Sequence, residues 1–110
     1  MKLWLDDYRE APEGWRWVKT ARQAIRVLSK GEVTHVSLDH DLGPKEKVGD
    51  GYEVAVFIEA AAYKKTIPPM DMVVHTQNSS RGDMMMAALR NAIKFWDDKG
   101  TVVRIPYQKA

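Results

Sequence analysis

The run Val36-Ser37-Leu38-Asp39-His40-Asp41-Leu42-Gly43 constrains the fold of this chain more than any other. Its first half alternates apolar and polar residues with the period of two that belongs to a β-strand. Its second half delivers two carboxylates and an imidazole beyond the strand's C-terminal end. Two other runs end in the same way. Leu3-Trp4-Leu5 leads into Asp6-Asp7-Tyr8-Arg9, and Met72-Val73-Val74 leads into His75-Thr76-Gln77-Asn78. In a parallel sheet these three ends lie on one edge, so the pattern predicts a site there.

The intervening chain predicts how the strands are joined. Lys2–Asp6 reads as a first strand and Trp15–Val18 as a second, with turn chemistry at Ala11-Pro12-Glu13-Gly14 between them. A parallel crossover through a helix needs about a dozen residues, more than this gap provides, so the first crossover is expected to be a loop. Thr20-Ala21-Arg22-Gln23 is a capping box, and Ala21, Ala24, Ile25 and Leu28 fall on one face of the helix it opens, which Gly31 closes. The third strand is expected over His35–Asp39, followed by an exposed, mobile loop carrying Lys45-Glu46-Lys47. Asp50 caps a helix through Ala55, Ile58, Ala61 and Ala62, with Lys64 and Lys65 in its last turn, and Pro68-Pro69 stops it. A fourth strand over Asp71–Thr76 is followed by a third helix capped by Ser79 or Ser80. Its apolar face is Met85, Ala88, Leu89, Ala92, Ile93 and Trp96, with Met84-Met85-Met86 as core filling. The fifth strand runs over Thr101–Ile105.

This order predicts one α/β domain over residues 1–110: a mainly parallel five-stranded sheet with about three helices, largely on one face. The other face would carry Lys2, Trp4, His35, Ser37, Arg104 and Trp17, either half-solvated or as the contact of a homodimer through the face bearing Trp4.

Composition narrows the chemistry. The 110 residues contain no cysteine, which leaves carboxylate and imidazole as metal ligands and excludes thiol catalysis. A net charge of +2 from scattered basic residues does not by itself imply a nucleic-acid or membrane partner. There is no signal-like start and no apolar stretch near the ~20 residues of a membrane helix, so a cytoplasmic protein is expected.

Asp6 and Asp7 at the first strand end, with Asp39 at the third, make a candidate site for a divalent cation, Mg²⁺ in particular. His40 and His75 are candidate acid and base: two imidazoles across a phosphate can open or close a cyclic phosphodiester without a covalent intermediate. Asp41 either orients His40 or caps the loop. Arg9 and Arg81 are candidate phosphate clamps, and Ser79 and Ser80 with the free amides at the start of the third helix offer a second anion site. Asn78 either orients a phosphate oxygen or caps the turn. The tripeptide Arg81-Gly82-Asp83 is read as chance, and no phosphate-cradling glycine loop or hydrolase nucleophile elbow is present.

The segments Leu3-Trp4-Leu5-Asp6-Asp7-Tyr8-Arg9, Ser37-Leu38-Asp39-His40-Asp41-Leu42-Gly43, Gly51-Tyr52 and His75-Thr76-Gln77-Asn78 resemble the cyclic-phosphate processing receiver domain, a group related to the receivers of response regulators. The resemblance implies a reduced flavodoxin-like core. It implies an acidic metal pocket of Asp6, Asp7 and Asp39 and an added polar set of Arg9, His40, Asp41, His75 and Asn78. It also implies processing of cyclic phosphates on nucleotides or RNA ends, so the expected partner is a small phosphorylated ligand or an RNA end. Ordinary receivers present Lys before the proline that follows the fifth strand, where this chain has Ile105. Their first and last helices are missing or shortened here. A metal-dependent phosphoesterase is therefore the leading expectation. The alternatives are a phospho-accepting switch with Asp39 as acceptor and a non-enzymatic binder of phosphate or nucleotide.

Overall fold

A computed structural model describes residues 1–105. Five strands, β1 (Lys2–Leu5), β2 (Trp15–Val18), β3 (His35–Leu38), β4 (Asp71–Val74) and β5 (Thr101–Arg104), form one parallel sheet in the order β2-β1-β3-β4-β5. The helices are α1 (Ala21–Leu28), α2 (Lys45–Val48), α3 (Gly51–Lys64) and α4 (Ser79–Phe95). None is long and apolar enough to cross a membrane.

The chain path explains why the long helices share a face. From β2 the chain passes over β1 to β3, then to β4, then to β5, always in the same direction across the sheet. Right-handed crossovers in one direction place α1, α3 and α4 on one side. The only step in the opposite direction, β1 to β2, is made by residues 6–14 without a helix, as the short gap required. Accordingly α3 packs between α1 and α4, and Leu3, Leu5, Val36, Leu38, Met72 and Val74 beneath them are fully buried. Lys2, Trp17, Thr101 and Val103 on the other side are exposed.

The caps are local and mostly as expected. Thr20 accepts from the Gln23 amide while Gln23 accepts from the Thr20 amide, and Asp50 accepts from the Glu53 amide at 2.8 Å. Three expectations need correcting. The cap of α4 is Asn78, whose Oδ1 accepts from the Arg81 amide at 3.1 Å; Ser79 and Ser80 already lie in the first turn. The stretch at Lys45-Glu46-Lys47 is exposed but winds into α2, a single turn started by Pro44 (φ −58°) and ended by Gly49 (φ 72°). Arg104 is on the helix side. It pairs in register with buried Val74, and its guanidinium reaches Asp83 and the carbonyls of Asn78 and Ser79. A long cation at the sheet's edge can lie along the start of α4 and reach those carbonyls and Asp83, which alternation alone does not reveal.

One glycine sets the geometry near the site. A Cβ on Gly51 would fall 1.9 Å from the carbonyl oxygen of Asp39, so α3 can start directly against the end of β3 only with glycine there. The Gly51 amide uses that approach to donate to His40 O at 2.9 Å.

Candidate functional site

The ends of β1, β3 and β4 are adjacent, and the ladder continues one residue past each strand. Asp39 N donates to Leu5 O at 3.0 Å and His75 N donates to Leu38 O at 2.9 Å. This extension holds Asp39 and His75 in strand-like positions although each lies beyond its strand. Asp6 is held likewise, through its amide to Val18 O at 3.2 Å.

Asp6 is fully buried, and both of its oxygens are in use. Oδ1 accepts from the amides of Tyr8 and Arg9, both at 2.8 Å, which closes the loop behind it. Oδ2 meets His75 Nε2 at 3.0 Å and Arg9 Nη1 at 3.1 Å. Burial pushes its pKa up, but the bonds from His75 and the two amides outweigh burial and lower it to about 2. Asp39 differs. Burial, reinforced by the negative charge on Asp6, raises its pKa despite the His40 amide on its Oδ1 at 2.8 Å. Asp7 stands exposed beside them.

Asp6, Asp7 and Asp39 each offer an oxygen within 4.8 Å of the others. An all-carboxylate set of this kind suits a hard divalent ion that keeps several waters. The chemistry of the set fits such an ion, because it brings three carboxylates together, two of them buried. A cleft of about 150 Å³ opens over these groups, lined by Asp7, Tyr8, Arg9, Asp39, Asp41, Thr76 and Gln77. A larger one of about 280 Å³ lies away from the acids, lined by Thr20, Arg22, the α2 segment and Glu53.

The two histidines have separate partners. His75 is buried, with Nδ1 2.7 Å from Ser37 Oγ and Nε2 on Asp6. Trp4 stacks on it with ring centroids 4.3 Å apart and planes 10° from parallel. Small Ser37 is itself buried on the otherwise open face, beside these two rings. His40 is also buried. Its Nδ1 lies 2.8 Å from Asp41 Oδ1, while its Nε2 has no hydrogen-bond partner among the described residues and is 3.6 Å from Asp50 Oδ2. Lys45 Nζ approaches the same oxygen at 3.6 Å.

Of the expected residues, the cleft gathers Asp7, Arg9, Asp39 and Asp41, with Asp6 in its floor network. His40 and His75 flank it without lining it. Asn78, Ser79 and Arg81 begin α4 and are not in its lining; Arg81 Nη1 lies 3.5 Å from Met84 Sδ. The sequence assigned no part in the site's chemistry to Ser37, Asp50, Tyr8, Thr76 or Gln77. Ser37 could have been suspected from its place opposite Trp4 in the alternation. Asp50 gave only a capping signal.

Residues 1–91 match the model of the cyclic-phosphate processing receiver domain. The chain belongs to that family. The match spans the elements that build the cleft and ends before β5. No curated protein and no solved structure matches the chain. The family's name associates it with cyclic-phosphate processing, and the five-stranded parallel sheet with its long helices on one face is a reduced receiver-like, flavodoxin-like architecture.

Proposed function

We propose that the protein opens cyclic phosphodiesters, on RNA 2′,3′-cyclic ends or on cyclic nucleotides, with the help of a divalent cation. The reading is carried by the convergence of Asp6, Asp7 and Asp39 within 4.8 Å at a cleft flanked by two buried imidazoles. Mg²⁺ held by these three carboxylates would neutralise charge on an incoming phosphate.

The chain's own groups divide the remaining work. Arg9 lies in the cleft wall, where its guanidinium can turn part of its donor fork to a phosphate oxygen. Water adds to phosphorus as its proton passes to one histidine. The ring P–O ester bond breaks, and the other histidine returns a proton to the leaving oxygen, giving a phosphomonoester. His40, flanking the cleft with Asp41 on its Nδ1 and Asp50 3.6 Å from its Nε2, is assigned one of the proton transfers. His75 holds Asp6 in the resting arrangement and would exchange that bond for the phosphate. Asn78, Ser79 and Arg81, at the start of α4, are assigned to the outer part of the ligand.

Turnover of 2′,3′-cyclic nucleotides with and without Mg²⁺ tests the reading. Equal turnover by the wild type and a His40→Ala, His75→Ala double variant overturns it. Tight binding without turnover would favour a non-enzymatic binder. A hydroxylamine-sensitive acyl phosphate on Asp39 would favour the receiver-type switch, against which stands exposed Ile105 where receivers present Lys.

A further inference from the structure

The acidic cleft and the open sheet face meet along residues 6–9, and the aromatic side chains of that face are tied into the junction. Trp17 donates its indole N–H to Asp6 O at 2.7 Å, and Trp4 donates to Arg9 O at 2.9 Å. These bonds satisfy the polar edges and fix the rings against the loop that carries Asp6 and Asp7. Trp4 is engaged in stacking on His75, but among the described residues no element is packed over Trp15 and Trp17 on the edge strand β2. Trp15 is partly exposed and Trp17 is 36% exposed.

Each of the two carries an ammonium. Lys2 Nζ lies 5.8 Å from the Trp15 ring, and Lys19 Nζ lies 4.6 Å from the Trp17 ring. Two residues apart on one strand, the rings are spaced by about 6.6 Å along its axis. The open face along β2, with Lys2 contributed by β1 and Lys19 from just beyond β2, therefore presents one ring and one cation, then the same pair again, in a line that ends at the acidic cleft. A single nucleic-acid strand has the complementary repeat of one base and one phosphate per step, and exposed sheet aromatics stack bases in this way. Among the strand residues of this face the only acid is Asp71, three strands from β2 and engaged with His35 and Thr101. The exposed aliphatic side chains Val103 and Ile105 lie on and just beyond β5, at the far edge from β2, so the aromatic and cationic half is the half suited to a polyanion.

We propose that the open face of β2 is a track for the 3′-terminal nucleotides of an RNA strand. Bases stack on Trp15 and Trp17, Lys2 and Lys19 take the backbone phosphates, and the terminal cyclic phosphate enters the cleft. The proposal rests on the cyclic-phosphate reading, and it specifies RNA because only a ribose 2′-hydroxyl can close a 2′,3′-cyclic phosphate.

The test compares a five-nucleotide RNA ending in a 2′,3′-cyclic phosphate with the corresponding cyclic mononucleotide, by tryptophan quenching and competition in Mg²⁺. The pentamer is expected to bind at least about tenfold more tightly, the stacking of one or two bases. Trp17→Leu should remove most of that ratio. Lys19→Glu, an exposed change that keeps the tryptophan rings, should lower it and flatten its salt dependence. A pentamer no tighter than the mononucleotide overturns the track, as does a ratio unmoved by both variants. So does a dimer in sedimentation that Trp17→Leu dissociates, because a second copy would then occupy the face. A pentamer held through Trp17 and Lys19 but not turned over supports the track and breaks the esterase reading alone.

Discussion

The two sides of the acidic cleft are built to opposite standards of satisfaction. On the open-face side, Asp6 and His75 have a partner for every polar atom: two amides and Arg9 on the carboxylate, Ser37 and Asp6 on the imidazole, Trp4 stacked over the ring. In the other half, around Asp39 and His40, Asp39 is a buried acid driven toward its neutral form, and His40 keeps a buried nitrogen with no hydrogen bond among the described residues. A satisfied buried network rigidifies, whereas an incomplete one costs stability and is retained where a ligand completes it. The Asp6 and His75 side is accordingly the scaffold, and the Asp39 and His40 side is where a ligand has most to gain.

The largest expected effect follows from cutting the scaffold. Asp6→Ala leaves His75 Nε2 and Arg9 without their shared carboxylate and should cost about 3–5 kcal/mol, read as a lowered urea midpoint. A loss below about 1 kcal/mol would mean that the network is not what holds this side together.

Acid should expose the same asymmetry. The folded pKa of Asp6 lies below its unfolded value, so its contribution is fully present above the ordinary value of ~3.9 and is lost as pH falls toward about 2. That contribution amounts to about 2–3 kcal/mol. Asp39 is shifted the other way, so its contribution is greatest at low pH and is lost as pH rises through its raised folded pKa. Carboxyl carbon shifts followed by NMR should place the Asp6 midpoint below, and the Asp39 midpoint above, those of exposed aspartates. Coincident midpoints would abolish the contrast.

Asp39→Asn should then stabilise the metal-free protein at neutral pH by about 1 kcal/mol, since Asn retains the acceptor for the His40 amide and removes the unfavourable charge. Millimolar Mg²⁺ should reverse the ranking by raising the Tm of the wild type and leaving that of the variant nearly unchanged. A Tm unaffected by Mg²⁺ in both proteins would argue against the three-carboxylate site. The smallest effect belongs to Ser37→Ala, which removes one partner of His75 Nδ1 and should cost about 1 kcal/mol in the same denaturation assay. A larger loss would show that the stack of Trp4 on His75 depends on that hydroxyl.

Much of this was legible in the chain itself. Strand runs around Leu3, Val36 and Met72, the Thr20–Gln23 box, the Asp50 cap and the end acids Asp6, Asp7 and Asp39 are all read from neighbours a few positions apart. The cap of α4 was misplaced because Asn78, Ser79 and Ser80 are all competent caps, and only the backbone angle at Asn78 selects among them. Arg104 was misassigned because Val102 and Val103 are both apolar, so alternation along this strand does not say which parity faces the helices; the register with buried Val74 does.

The sequence by itself determined the strands, the three long helices, the caps of the first two of them and the gathering of polar groups at three strand ends, because periodicity and capping are short-range interactions. Tertiary structure decided which imidazole meets which carboxylate. His75 finds Ser37 38 positions away and Asp6 69 positions away, and His40 comes near Asp50 only because Gly51 lets α3 start against β3. Such pairings depend on strand order and register, which bring distant segments within hydrogen-bond reach and leave no local trace in the chain.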